Sequence, residues 1–209
     1  MKTISREEIQ SYERVYRLNL VNCISGYKAA NLIGTKGEFG ENLSIISSVI
    51  HLGSNPAILG FIMRPDTVER HTLKNIKEQG YYTINQISEH FIEQAHYTSA
   101  NFAKEESEFE KCKLASEYHN QFQAPFVKES QLKMAMKLEE IIPIEINNTA
   151  LIVGSVEFLR LNENSLQDNG QLDLNAIKAV CISGLNRYHK VEEIGKFPYA
   201  RPTELPTFA

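Results

Sequence analysis

Over two long stretches, Val15 to Ile62 and from Gln131 onward, the chain is a succession of short apolar, β-branched runs cut apart by Gly, Asn, Ser and Pro. That punctuation suits strands of a few residues and leaves little room for long helices. The runs are LNLVNCI, AANLIGT, LSIISSVIHL and AILGFIM, then YYTINQI at 81–87, then MAMKLEEIIPIEI and ALIVGSVEFLRL on either side of NNT, and a last apolar segment, AIKAVCISGL. KGEFGEN reads as a hairpin connection, because its glycines supply the positive φ that tight turns need. SNP at 54–56 is a further break before a strand. The pair of runs around NNT reads as one long hairpin.

Helical texture is confined to shorter pieces. Residues 1–14 are polar and read as a short helix or an N-terminal arm. A helix is expected at 67–79: Asp66 or Thr67 can cap it, Glu69 favours its positive end, Val68, Leu73 and Ile76 recur at helical spacing, and Gly80 can stop it. The charged stretch 88–125 is expected to be a helical insertion, with Phe102 and Phe109, seven apart, on one helical face. Residues 190–209 carry three of the seven prolines and read as an extended tail. Strands without βαβ alternation do not make a parallel sheet. The expected fold is therefore mainly β: one domain over 1–209, a closed or nearly closed antiparallel barrel with a few peripheral helices.

Composition excludes several function classes. With 22 Lys and Arg against 26 Asp and Glu, a net charge of −4 and a pI near 5.9, the chain has no basic footprint for nucleic acid and no strong attraction to an anionic membrane. Its longest apolar runs, such as ILGFIM, are too short to span a bilayer. Cys23, Cys112 and Cys181 are odd in number and far apart, which suits reduced thiols in a cytoplasm better than a disulfide framework or a metal site. The charged N-terminus shows no secretory signal. There is no GxGxxG, GxxxxGK[ST], HExxH or GxSxG, and the six histidines are scattered, so neither a catalytic side chain nor a metal ligand set is assigned.

Two places can bind a ligand. In Gly40-Glu41-Asn42-Leu43-Ser44-Ile45-Ile46-Ser47-Ser48-Val49, the residues Asn42, Ser44 and Ser48 share one strand face by parity, with Ile46 among them. Small hydroxyls and an amide can hydrogen-bond a planar heterocycle or a phosphate edge at close range. A solvent-facing barrel strand has the same texture and, on period alone, is the simpler reading. The second place holds Arg64, Arg70, His71, Thr72 and Lys74 around the expected helix start. A guanidinium fork, an ammonium and helix N-terminal N–H groups all suit a phosphate, although a solvated basic helix face looks the same in sequence.

The order of these motifs resembles the flavin-reductase-like family with the FMN-binding split barrel, which includes flavoredoxin-like flavoproteins. The pattern runs from Thr35 and Gly37 through Asn42-Leu43-Ser44-Ile45-Ile46-Ser47-Ser48, Ser54-Asn55-Pro56, Ile58 to Met63, and Arg64. It continues through Thr72-Leu73-Lys74-Asn75-Ile76, Gly80-Tyr81-Tyr82-Thr83-Ile84-Asn85, His96-Tyr97-Thr98-Ser99 and Ser107-Glu108-Phe109-Glu110. It ends with Gly184-Leu185-Asn186-Arg187-Tyr188-His189 and Phe197-Pro198-Tyr199-Ala200-Arg201-Pro202.

The resemblance implies a Greek-key split barrel that works as a homodimer with FMN held non-covalently at the interface. It implies that Asn42, Ser44, Ser47 and Ser48 contact the flavin ring or ribityl chain, and that Arg64, Thr72 and Lys74 hold the phosphate. His96, Ser99, Tyr188 and His189 would line the site, from the partner subunit in one version. The bulky Ile45 and Ile46 depart from the family's more uniform run of small residues. The implied activity is hydride transfer from NADH or NADPH to flavin, which then serves a small-molecule electron acceptor. Two alternatives stay open: an electron-transfer flavoprotein of the same fold without direct nicotinamide use, and a non-enzymatic barrel for another small ligand.

Overall fold

The computed structural model describes residues 1–64 and 70–206. The chain begins with two helices, α1 (Arg6–Ser11) and α2 (Arg14–Cys23), and a short strand β1 (Lys28–Ala29). Strands β2 (Asn31–Gly37), β3 (Gly40–Ile46), β4 (Ile50–Ser54) and β5 (Ala57–Met63) follow, then helix α3 (His71–Gln79) and strand β6 (Tyr81–Gln86). Helices α4 (Ile92–Tyr97) and α5 (Glu108–Lys111) precede the short strands β7 (Ser116–Glu117) and β8 (Phe126–Val127). The long strands β9 (Leu132–Ile144) and β10 (Thr149–Leu161) come next, and β11 (Cys181–Ser183) and β12 (Arg187–His189) are the last strands.

Seven strands form one antiparallel sheet in the order β3-β2-β6-β9-β10-β5-β4. The two edge strands, β3 and β4, are consecutive in sequence, so the sheet must curl for the three residues between them to join its ends. It does. Ile33 of β2, Tyr82 and Ile84 of β6, Met136 of β9, Ile152 of β10 and Phe61 of β5 meet in a single buried cluster, into which Ile46 and Val49 also pack. Beyond the last rung between β4 and β5, the free backbone edge of Ile62 is taken by one side chain: Ser48 Oγ accepts from Ile62 N (3.0 Å) and lies 3.3 Å from Ile62 O. The result is the expected antiparallel split barrel, mainly β with peripheral helices.

Side-chain parity builds a second core outside the barrel. Leu32 of β2 and Leu43 of β3 point away from the barrel interior. They meet Phe91, Ala95, Phe109, Cys112, Val127 and Ile182 from the α4–α5 region, β8 and β11. Helix α3 packs along β2, burying Thr72, Leu73, Asn75 and Ile76 on one face. It ends at Gly80, whose φ of 73° is the left-handed cap expected there.

The long hairpin and the KGEFGEN turn are present, the latter closing with Gly37 opposite Gly40. Ser54 pairs with Ala57 across Asn55-Pro56. Three readings change. LNLVNCI is not a strand but most of α2, because the Glu13 carboxylate caps the helix by accepting from Val15 N (2.9 Å) and Tyr16 N (3.3 Å). Phe102 and Phe109 share no helix. Only Phe109 lies in α5, and Phe102 reaches the same outer core from irregular chain. The helix expected at 67–79 is described from His71 onward, and the proposed caps Asp66 and Thr67, with Val68 and Glu69, lie outside the described residues. No described helix is long and apolar enough to cross a membrane.

Two close approaches are testable. The Tyr82 hydroxyl is buried without a hydrogen-bond partner among the described residues, and it fills the space that a Cβ at Gly154 would occupy, 2.2 Å away. An unsatisfied buried hydroxyl is destabilising, so Tyr82→Phe is expected to raise stability by about 1 kcal/mol. A Cβ at Gly34 would sit 2.3 Å from the Pro125 carbonyl oxygen and 2.5 Å from Thr83 Oγ1. Gly34→Ala is expected to cost about 1 to 3 kcal/mol through overpacking. Denaturant midpoints of the two variants, compared with the parent, check both.

Candidate functional site

Strand β3 alternates between two environments. Leu43 and Ile45 face the outer core, while Asn42, Ser44 and Ile46 face the barrel and α3. Polar groups on that inner face must find partners, since Asn42 is only 9% exposed. They find them on α3 and α5. Glu108, at the start of α5 and also buried, accepts from Asn42 Nδ2 at both carboxylate oxygens (3.0 and 2.9 Å) and from the Leu43 backbone N–H (2.9 Å). The far side of the Asn42 amide, Oδ1, accepts from Thr72 Oγ1 at 2.7 Å and from Thr35 Oγ1 at 3.3 Å. Thr72 Oγ1 lies 3.0 Å from Ser44 Oγ, and Asn75 Nδ2 donates to Thr35 Oγ1 at 3.1 Å. Asn75 itself rests on Gly37, where a Cβ would come within 2.0 Å of its Oδ1.

Burial pushes the Glu108 carboxyl above its ordinary range. The N–H groups that it accepts from, the charge of nearby His71 and the Asn42 amide pull the other way without cancelling the shift.

The residues singled out from sequence fall into two groups. Asn42, Ser44 and Thr72 are brought into direct contact, with Ser47 and Ser48 just past the end of β3. Ser48 is not on the β3 face with them, because the strand ends at Ile46 and its hydroxyl is tied to β5. Arg64 is exposed at the end of β5. Lys74 lies in the first turns of α3, its ammonium 4.0 Å from Glu78 and 5.9 Å from the centre of the Phe39 ring.

The second group stands on the other face of β3. His96 Nδ1 and Tyr188 Oη are 3.0 Å apart, and the Ser99 hydroxyl donates to the His96 carbonyl at 2.7 Å. His96 and Tyr188 line an open cleft of about 620 Å³ together with Glu89, His90, Tyr97 and Asn186. His189 turns elsewhere, 2.8 Å from Ser183 Oγ and edge-on to Tyr27.

A curled antiparallel sheet with this polar seam invites comparison with known proteins. The family model described as the flavin reductase like domain matches residues 28–175, which run from β1 past the end of β10. This chain belongs to the flavin reductase like family. A flavin-reductase-like split barrel domain protein from Shewanella frigidimarina NCIMB 400 is 46% identical, with a TM-score of 0.92 over 96% of this chain and 100% of that one. Component B of nitrilotriacetate monooxygenase from Bacillus cereus is 21% identical, with a TM-score of 0.82 over 94% of this chain and 98% of that one. An FMN-binding protein from Thermus thermophilus is 16% identical, with a TM-score of 0.70 over 83% of this chain and 91% of that one. The latter two share the fold.

Within this flavin reductase like domain, sequence reasoning missed Glu108, Thr35 and Asn75 as parts of the site. Asn75 and Glu108 stand in the T-x-x-N-I and S-E-F-E motifs, but nothing in their spacing says that both reach Asn42 from different elements. Folding raises the Glu108 pKa, so its stabilising contribution is complete below the ordinary value of 4.5 and declines as pH rises through the higher native value. Glu108→Gln removes that titration. The stability difference between the parent and the Gln variant, followed by chemical denaturation from about pH 4 to about pH 8, is expected to shift in favour of the variant as pH rises.

Proposed function

We propose that this chain is an NAD(P)H-dependent flavin reductase of the cytoplasm, a single split-barrel domain that acts as a homodimer and holds FMN without a covalent bond. The observation that carries the reading is the joining of the Asn42–Ser48 segment to the first turn of α3 through Thr72. It sets half-buried hydroxyls beside a helix start flanked by cations.

The donor set fits FMN. Ser44 and Ser47 offer hydroxyls to the ring edge or ribityl chain, and Asn42 acts on Ser44 through Thr72. Ser48 braces the barrel closure and keeps a lone pair to spare. Arg70, at the N-cap of α3, has no acceptor with which to cap the helix, unlike Ser5 of α1 or Glu13 of α2. The first-turn N–H groups of α3, with Lys74 on the same helix, suit a phosphate, and Arg64 past the end of β5 is the second cation proposed for it. Bound FMN supplies the hydride-accepting chemistry, and the protein supplies orientation and hydrogen bonding. No side chain is assigned a proton-transfer role in that step.

The dimer reading rests on unpartnered apolar surface. None of the residues of α2 is buried, and Val15, Tyr16, Leu18 and Val21 are exposed there, as are Phe197 and Tyr199 in the tail. Exposed apolar residues gathered on one helix suit an interface. The cleft beside His96, Ser99 and Tyr188 is assigned to the flavin of the partner subunit. Burial pushes the Tyr188 phenol up to about 12, so it stays protonated at neutral pH and can donate a hydrogen bond. His189 ties β12 to β11 through Ser183. Cys23, Cys112 and Cys181 are free thiols, and the cytoplasm is proposed for them.

An absorbance titration tests activity and ligand together. Protein mixed with FMN is expected to retain the flavin bands through gel filtration, and anaerobic NADH or NADPH is expected to bleach them. Flavin that stays oxidised with both nicotinamides overturns the reductase reading, and protein that cannot be loaded with FMN overturns the cofactor. Sedimentation is expected to give a species of twice 23.8 kDa, and a monomer at all concentrations overturns the dimer.

A further inference from the structure

We infer that Glu108 is a positioning residue for the flavin site: it sets the direction of a buried hydrogen-bond chain so that Ser44 presents an acceptor, not a donor, to the bound flavin. The inference rests on the FMN reading above and deepens it.

Proton accounting along the chain gives the direction. Both Glu108 oxygens face N–H donors, Asn42 Nδ2 at 3.0 and 2.9 Å and Leu43 N at 2.9 Å, which is the arrangement of an ionised carboxylate that only accepts. The Asn42 amide is thereby held in one orientation, its NH₂ toward Glu108 and its Oδ1 toward Thr72 and Thr35. An amide oxygen cannot donate, so the single Thr72 hydroxyl proton, 2.7 Å away, goes to Asn42. Thr72 then has only lone pairs for Ser44 Oγ at 3.0 Å, and Ser44 must spend its own proton on Thr72. What Ser44 has left is an acceptor. Ser44 is half-buried, whereas Glu108, Asn42 and Thr72 are 7%, 9% and 6% exposed, so the chain runs from the buried carboxylate out to the one hydroxyl that a ligand can reach. Its partner on the flavin must be a donor: the ring N3–H, a ribityl hydroxyl, or an N–H that appears on reduction.

Glutamine at 108 cannot reproduce this. Its amide matches the carboxylate at one oxygen and places an NH₂ where the other stood, against Asn42 Nδ2. Turning the Asn42 amide over relieves that clash and creates one between two oxygens. The amide loses its single orientation, and each time it turns, the proton order along Thr72 and Ser44 reverses. Thr72→Val has a related effect by a different route, since it removes the acceptor that holds the Ser44 proton. Thr72→Ser keeps it.

The test is a double-mutant cycle on FMN affinity, read by flavin fluorescence on purified apoprotein. S44A, E108Q and T72V are each expected to weaken FMN by about threefold to tenfold, the loss of one net hydrogen bond, with T72S close to the parent. In the S44A background, E108Q and T72V are expected to have no further effect, because both act through Ser44. Should E108Q not fold, T72V against T72S reads the same chain. Losses that add in the S44A background mean that Glu108 and Thr72 shape the site only as structure, and they overturn the inference. So does unchanged affinity in folded E108Q or T72V. A parent protein that takes up no FMN fails before any variant is compared, and it overturns the FMN reading as well.

Discussion

A buried carboxylate bonded to the backbone of an edge strand is the constraint on which the site depends. Glu108 reaches across from α5 to the Leu43 N–H and the Asn42 amide, on the side of β3 that no neighbouring strand covers. Edge strands carry unpaired backbone groups, and proteins commonly pair, cover or charge them. Here the same carboxylate covers the edge and fixes a side chain of the polar seam. The arrangement carries a desolvation cost, visible in the raised Glu108 pKa. Three accepted N–H bonds offset part of it, at about 1.5 to 3 kcal/mol for a hydrogen bond to a charged group.

The other end of the same strand solves a different problem. A sheet with β3 and β4 at its edges closes only if the connection between them reaches β5. Ser48 makes that connection by replacing a strand partner for Ile62, and Ile46 and Val49 fill the barrel interior beneath it. The segment Asn42–Ser48 is therefore pinned at both ends, by Glu108 and by Ile62, with Ser44 and Ser47 between the pins. Rigid hydroxyls at fixed spacing lose little freedom when a ligand binds, which is the general benefit of preorganisation.

The two faces of β3 divide the molecule's labour. The inner face carries Asn42 and Ser44 to α3, and the outer face carries Leu43 and Ile45 to the α4–α5 region. Tyr188 packs against that outer core and, with His96, lines a separate cleft. The two groups thus occupy opposite sides of one strand within this chain.

By itself the sequence determined most of the strands, the turns and the shared face of Asn42 and Ser44. Short β-branched runs between glycines and prolines specify strands because backbone sterics and side-chain alternation act locally, and Gly80 ends α3 for an equally local reason. Parity alone put Asn42 and Ser44 on one face. The sequence did not determine α2, where apolar residues look like a strand until the cap at Glu13 is seen, nor the separate routes of Phe102 and Phe109 into one core. Only the tertiary structure decided that Ser48 closes the barrel and that Glu108 sets the state of Asn42. Those contacts join residues 14 and 66 positions apart, and hydrogen-bond partners at such separation are fixed by how the sheet curls.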